Sequence, residues 1–182
     1  MDEAASLFLR RGYDGTSLRH LADVVGIKAG SIYYHFASKD DLLTEILRRG
    51  IDVMHTAFDG AEAAAVINHP KDRIALHVRA HLAALYKNGP YTAAHVMTFR
   101  TSPDPVRSAV VPLRDSYEGR WTALLVEMQR DGQIRPGTDI AVTRLALFGA
   151  MNSSVEWFDP ARGNLDRFAG AITSQFWNGV AA

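Results

Sequence analysis

Residues 16–39 read Thr-Ser-Leu-Arg-His-Leu-Ala-Asp-Val-Val-Gly-Ile-Lys-Ala-Gly-Ser-Ile-Tyr-Tyr-His-Phe-Ala-Ser-Lys. Leu18, Leu21, Ala22 and Val25 recur at i, i+3, i+4 and i+7, the apolar face of a short helix. Thr16 or Ser17 is placed to cap its start, where a side-chain oxygen satisfies amide donors that lack a helical partner. Gly26 falls where the chain leaves that helix and predicts a positive φ. Ile27 is expected to point back to the core, and Ile32 and Phe36 repeat that face. A second short helix is predicted at about 29–34, with Lys28, Ser31, Tyr33, Tyr34 and His35 on its other side.

Two short helices joined by a glycine turn, the second rich in hydrogen-bonding side chains, are a means of presenting a helix to the major groove of DNA. The alternative is a plain helical hairpin with a solvated polar face, and most such hairpins bind no DNA. Two features argue against it. Solvated faces seldom carry two adjacent tyrosines and a histidine, here beside Lys28 and Lys39. Gly30 beside Ser31 also lets the backbone come close to a phosphate.

The string Gly-Tyr-Asp-Gly-Thr-Ser-Leu-Arg-His-Leu-Ala (12–22), followed by Gly-Ser-Ile-Tyr-Tyr-His-Phe-Ala-Ser-Lys-Asp-Asp-Leu-Leu (30–43), resembles the head of the TetR family of bacterial repressors. The likeness spans roughly residues 3–47, and Tyr33, His35, Phe36 and Lys39 carry its most specific pattern. It implies that Thr16 and Ser17 cap the second helix and touch the phosphate backbone. It implies that Ser31, Tyr33 and His35 meet phosphates and base edges, with Tyr34 on the same face, and that Lys39 neutralises a phosphate. Lys28 and Ala29 fall at the variable positions that help set which operator is read. Two departures stand out. Lys28 occupies a position where relatives often have Ser or Thr. The chain also begins at Met1-Asp2-Glu3, nearly inside the first helix, where relatives carry several residues, often basic. The resemblance implies an N-terminal arm, with a missing arm and a misplaced start both left open, and contacts made by such an arm are left unassigned.

The 182 residues suffice for one ordinary domain or a small one plus a larger one, and hydrophobic residues make up 47% of them. The absence of cysteine excludes disulfides and thiolate chemistry and fits a reducing, cytoplasmic setting. No apolar run approaches the roughly 20 residues of a membrane helix, and no secretory signal opens the chain. Twenty basic and twenty acidic residues leave no net charge. Distribution matters more than the sum: within 16–39 stand Arg19, Lys28 and Lys39 against Asp23 alone. A near-neutral protein of this kind relies on specific contacts, with phosphate contacts still making affinity fall with salt.

Beyond the head the chain reads as helices only. Ser38-Lys-Asp-Asp is a capping box that starts a long helix to about Phe58, continued loosely over 61–67. Pro70 suits a first turn, Asn88-Gly89-Pro90 is a break, and Pro112 is expected to kink or divide the helix that contains it. Two last helices are predicted at about 140–157 and 165–179. They are too apolar for a surface: Leu145, Phe148 and Met151 stripe one, and Phe168, Ile172 and Phe176 stripe the other. Small residues at Gly149, Ala150, Ala169, Gly170 and Ala171 permit close approach. Since the family pairs through its last two long helices, the resemblance implies a homodimer through this pair rather than burial within one subunit.

In the body, His77 and His81 stand at i, i+4, a spacing that can hold zinc, but no Glu follows His77 to act as a base. Polar or partly buried histidines are the favoured reading, and no metal is assigned. Met97, Phe99, Arg100, Tyr117, Trp121, Phe148, Met151, Asn152 and Trp157 are the candidate effector-binding set, large apolar walls with a few polar groups. Large residues at helical spacing are more often plain core. Residues 151–160, Met-Asn-Ser-Ser-Val-Glu-Trp-Phe-Asp-Pro, resemble the ending of repressors that control fatty-acid and sterol breakdown, a branch that responds to acyl-CoA thioesters, although Asp159 stands where a basic residue is common. That resemblance implies a CoA-ester effector, with Arg100, Arg107, Arg114 or Arg120 as partners for its anionic groups.

The expectation is an all-α chain of about nine helices. A three-helix helix-turn-helix DNA-binding head occupies 1–47, and a larger effector-binding and dimerisation body occupies 48–182. It is read as a cytoplasmic, homodimeric transcriptional repressor, not an enzyme, without cofactor. Its partners are a double-stranded DNA operator and a small-molecule effector. Two rivals remain: an architectural DNA-binding protein without effector, and a small helical metal-dependent enzyme using His77, His81 and Glu156.

Overall fold

The computed structural model describes residues 1–64, 69–87 and 89–182. Among them are nine α-helices: α1 (Asp2–Arg11), α2 (Leu18–Val25), α3 (Ala29–His35), α4 (Lys39–Ala63), α5 (Pro70–Lys87), α6 (Pro90–Thr98), α7 (Asp104–Arg130), α8 (Ile140–Asn152) and α9 (Leu165–Val180). Short 3-10 turns follow α6 at Phe99–Thr101 and α8 at Ser153–Glu156. The described residues form no strand, only one isolated antiparallel bridge between Ile134 and Ala181. The all-α expectation holds. No described helix is long and apolar enough to cross a membrane.

Local chemistry sets several helix ends. Ser17, not Thr16, caps α2: its Oγ accepts from the His20 amide at 3.0 Å. Gly26 closes α2 in the left-handed region (φ 73°) and sends its N–H back to the Ala22 and Asp23 carbonyls. Ser38 accepts from the Asp41 amide at 3.0 Å, and Asp40 and Asp41 lie on the positive end of α4. Asp139 and Asn164 cap α8 and α9 in the same manner. Lys28 precedes α3 without a side-chain cap.

Three expectations need correction. Pro112 does not divide α7, which runs unbroken from Asp104 to Arg130. Pro112 and Ser108 are both exposed, so water can serve the carbonyl that the proline leaves without a partner. The α8 helix stops at Asn152 rather than near 157. Ser154 turns its hydroxyl back onto the Met151 carbonyl at 2.5 Å and meets the Tyr86 hydroxyl at 2.7 Å, a local competition that tightens the chain into a 3-10 turn. Val25 and Ile27 are not core residues; they are 45% and 43% exposed. The α2 helix has only two turns, and these two side chains line an open cleft of about 460 Å³ with Met1, Leu21, Ile32 and Phe36. The expected continuation of α4 over 61–67 reaches Ala63, and residues 65–68 lie outside the described ones, as does Asn88.

The chain forms two compact units, Met1–Val53 with Asn88–Arg114, and Met54–Lys87 with Asp115–Ala182. The first is discontinuous in sequence, and α4 and α7 each contribute to both. The expected boundary after residue 47 coincides with none of the breaks between these units.

In the first unit Phe8, Leu21, Ile32, Leu43 and Ile46 share a core, each 6% exposed or less. Full burial of such a side chain stabilises by about 1.5–3 kcal/mol. The α6 helix packs on α1 and comes close to α4 at Gly50. A Cβ at that position would lie 2.5 Å from the Tyr91 carbonyl oxygen and 2.9 Å from the His95 Cβ. In the second unit α5 packs on α8 and α9, and Ile74, Val78, Leu82, Trp121, Leu125 and Met128 are fully enclosed.

Candidate functional site

The recognition-type helix α3 is held by one side and offered by the other. Ile32 is 6% exposed and Phe36 half-buried, which fixes the helix to the core. Lys28, Ser31, Tyr33, Tyr34 and His35 are exposed, and Ala29 is half-buried. Tyr33 is 57% and Tyr34 86% exposed, although a folding advantage from either ring would require burial. The His35 ring stands edge-on to Tyr34, with centroids 5.1 Å apart. One ammonium, two phenols, an imidazole and a hydroxyl thus occupy a seven-residue helix and its cap. That is the donor and acceptor set that phosphates and base edges require. A Cβ on Gly30 would meet nothing within 4 Å, so the backbone there is open to close approach.

Thr16 and Lys39 make their hydrogen bonds within the head itself. Thr16 is 2% exposed and donates its hydroxyl to the Gly12 carbonyl at 2.8 Å. Ser17 remains exposed at the start of α2. Lys39 Nζ donates to the Tyr13 carbonyl at 2.9 Å and to the Thr16 carbonyl at 3.0 Å, and it lies 3.7 Å from the centroid of the Tyr13 ring. The Tyr13 hydroxyl donates to Asp40 Oδ1. Partial burial, aided by the charge and hydrogen bond of Asp40, pushes the Tyr13 phenol up to about 12.

In the second unit Tyr117, Trp121, Phe148 and Asn152 come together around a residue outside the expected set, His81. Its Nδ1 is 2.9 Å from the Tyr117 hydroxyl and its Nε2 is 3.0 Å from Asn152 Oδ1. Because Oδ1 only accepts, the ring carries its proton on Nε2 and takes a hydrogen bond from Tyr117 at Nδ1. Burial lowers the His81 pKa to about 4, so the ring is neutral near pH 7. Burial also pushes the Tyr117 phenol up. Phe148 and Trp121 wall the group, with ring centroids 5.5 and 6.1 Å from that of His81. Met151 is buried in the same unit.

The remaining candidates are elsewhere. Met97, Phe99 and Arg100 belong to the first unit, and Met97 is 43% exposed. Trp157 is 62% exposed, edge-on to Phe168 at 5.2 Å, because α8 ends before it. Of the arginines named for anionic groups, Arg107 pairs with Asp104. Arg114 lies 4.2 Å from the Phe99 ring centroid, and Arg120 pairs with Asp59. Arg100 is exposed.

His77 Nδ1 meets the Arg73 carbonyl at 2.8 Å and Nε2 lies 2.8 Å from Glu62 Oε1. Burial lowers its pKa against the opposing pull of those two acceptors. Since His77 and His81 face different partners, their i, i+4 spacing does not bring their nitrogens onto one ion. Among the described residues no three His, Asp or Glu side chains form a metal-holding group. Glu156 is exposed.

A third surface lies along α8 and α9. Ala146, Ala150, Phe168, Ala171, Ile172 and Phe176 line a groove of about 400 Å³. Val142 and Leu145 beside it are 61% and 58% exposed, and Cβ atoms on Gly149 or Gly170 would meet nothing within 4 Å.

Comparison with known proteins agrees with this architecture. Residues 1–46 match the family described as "Bacterial regulatory proteins, tetR family". Residues 68–178 match "Tetracyclin repressor-like, C-terminal domain". The HTH-type transcriptional repressor KstR2 of Rhodococcus jostii is 28% identical over 193 residues, spanning 100% of this chain and 89% of that protein. The crystal structure of AibR with isovaleryl coenzyme A and operator DNA has TM-score 0.83 at 21% identity, covering 96% of this chain and 94% of that one. FadR from Bacillus subtilis with stearoyl-CoA has TM-score 0.79 at 20% identity, over 98% and 96%.

Proposed function

The chain belongs to the TetR family of bacterial transcriptional regulators, and from that premise we propose that it represses transcription by binding an operator through residues 1–47 and is released by an acyl-CoA-type effector. The observation that carries this reading is the exposed face of α3, with Lys28, Ser31, Tyr33, Tyr34 and His35 free of the core that Ile32 enters. Ser17 adds a hydroxyl at the start of α2, and Ala29 sits at the base of the reading face. These side chains contact the duplex.

Residues 48–182 receive the effector and pair with a second copy. The groove between α8 and α9 is the dimer surface, because its exposed apolar and small residues suit a matching helix pair. Two heads then read successive major grooves about 34–36 Å apart. The effector class is supported by the two neighbours solved with isovaleryl coenzyme A and stearoyl-CoA. The aromatic cluster around His81, Tyr117 and Asn152 is the receiving side, mainly apolar side chains with few polar groups among them. The effector shifts the population away from the DNA-competent state by its differential affinity for the two states. The protein works in the cytoplasm as a regulator and performs no catalysis.

The test starts by selecting a duplex from random sequence with the purified protein. Its affinity is then measured by fluorescence anisotropy, with and without isovaleryl-CoA and stearoyl-CoA. Selection of a palindromic site, weakened at least 10-fold by either thioester, is the expected outcome. Selection without release by either compound removes the acyl-CoA reading, and no selected sequence removes the repressor. Phe176→Glu is expected to give monomers in sedimentation, and an intact dimer removes α9 from the interface.

A further inference from the structure

The two histidines of α5 differ in what their ring nitrogens face. His81 meets one donor and one acceptor, Tyr117 and Asn152, and a neutral ring serves both. His77 meets two acceptors: the Arg73 carbonyl oxygen lies 2.8 Å from Nδ1, and Glu62 Oε1 lies 2.8 Å from Nε2. A carbonyl only accepts, so Nδ1 carries a proton. A neutral ring then turns the bare lone pair of Nε2 onto a carboxylate oxygen, a repulsive contact. The ring has no room to swing away, since it is 1% exposed and stands edge-on to Phe58 at 4.4 Å and Trp121 at 5.7 Å. We propose that His77 and Glu62 hold one proton between them at neutral pH, forming a pH-sensitive latch that ties the end of α4 to α5 and lets go when that proton leaves.

Charge balance supports the latch. Glu127, Arg73 and Glu62 stand in a row, with Arg73 2.8 Å from Glu127 and 3.4 Å from Glu62. Two carboxylates against one guanidinium leave the row one positive charge short, and a proton on the His77 side supplies it. Charges on the neighbouring elements are matched among themselves. Asp59 of α4 pairs with Arg120 of α7, which also meets His55. Glu118 of α7 pairs with Arg144 of α8, and Arg79 of α5 with Asp166 of α9. Burial of the His77 ring opposes the proton, while the Arg73 carbonyl and the Glu62 carboxylate favour it. The contact distance decides between them, because only a proton makes it attractive. A cavity of about 280 Å³ lined by Phe58, Glu62, Arg73, Arg120, Leu124 and Glu127 adjoins the row, and the Glu62 side chain is 37% exposed, so water can deliver and remove the proton.

All of these residues belong to the second unit, and Glu62 is the next-to-last residue of α4. Once the proton is gone, the end of α4 keeps only the longer contact to Arg73. A pair this close titrates as a unit. The folded pair keeps its proton above the pH of about 6.5 at which free imidazole loses it. The stability it contributes is therefore present below that pH and is lost as pH rises further.

The experiment compares the full wild-type chain with Glu62→Gln, whose amide N–H donates to a bare Nε2 and keeps the contact without a proton. Both are unfolded in urea from pH 6.5 to 8.5. The wild-type unfolding constant, divided by that of the variant, is expected to rise roughly 5- to 10-fold across this range, and a constant ratio overturns the proposal. Nitrogen NMR of the wild-type chain labelled at histidine needs no variant. Expected is a hydrogen-bonded proton at His77 Nε2 at pH 6.5 that is gone by pH 8.5, and a bare Nε2 throughout overturns the proposal. Amide exchange, corrected for its intrinsic pH dependence, reads the release itself. Protection over residues 59–63 is expected to fall about 5-fold across the range in the wild type and to hold in Glu62→Gln. Equal behaviour of the two chains overturns the latch.

Discussion

Two groups of tyrosine and histidine in this molecule have nearly the same chemistry and opposite surroundings. On α3, Tyr33, Tyr34 and His35 face water, with Tyr34 86% exposed. In the second unit, Tyr117 and His81 are 5% and 2% exposed, and each is committed to a neighbour: Tyr117 donates to His81, and His81 to Asn152. The inner group must satisfy its polar atoms internally, because an unpaired buried donor or acceptor costs about 1–3 kcal/mol. The outer group is under no such demand, so its hydrogen-bonding capacity stays available to a partner. Identity of residue type thus says little about role until the partner of each polar atom is known.

Acidification separates the two groups most strongly. Burial holds the His81 pKa at about 4 in the folded chain, against about 6.5 when unfolded. Above 6.5 both states are neutral. Between 6.5 and 4 the unfolded chain takes up a proton that the folded ring refuses, so stability falls as pH falls. The loss totals about 3 kcal/mol by pH 4 at about 1.4 kcal/mol per unit, and urea unfolding at pH 7, 5.5 and 4.5 measures it. A flat profile would place His81 in contact with water. Next in size, Tyr117→Phe removes the donor to His81 Nδ1 and is expected to cost about 2 kcal/mol, read by the same unfolding assay. Tyr34→Phe is expected to leave the unfolding midpoint unchanged, and equal losses in the two variants would erase the contrast.

The outer group is tested by binding. Tyr33→Ala is expected to weaken the selected duplex about 10-fold, or about 1.4 kcal/mol, with the melting temperature unaltered. Parallel loss of folding and binding would count against a surface role. The smallest effect belongs to Gly30, whose added Cβ would meet nothing. Gly30→Ala is expected to stabilise by about 0.5–1 kcal/mol through helix propensity. A binding loss that outweighs this gain would reveal close backbone contact with a phosphate.

Much of the head was legible because its code is local. The i, i+3, i+4 spacing of Leu18, Leu21 and Ala22, the turn at Gly26 and the opposition of Ile32 to Tyr33 and Tyr34 all lie within a few residues of one another. The choice between Thr16 and Ser17 as cap was open in the sequence, since adjacent hydroxyls are equivalent until Gly12 claims one of them. Lys39 was visible as a cation, but its carbonyl partners lie 23 and 26 residues earlier, beyond any helical period. His81 met the same obstacle. Its place on the face of α5 with Val78 and Leu82 is periodic, while Tyr117 and Asn152 stand 36 and 71 residues away. The early end of α8 came from a serine bonding to its own backbone, which propensity alone does not reveal.

The close approach at Gly50 narrows how this sequence is free to drift. Even alanine there would push its methyl group into the Tyr91 carbonyl, which is main chain and cannot be exchanged for a smaller group. Descendants of this protein are therefore tied to glycine at that position for as long as the two helices keep their spacing, however freely the solvent-facing residues around it change.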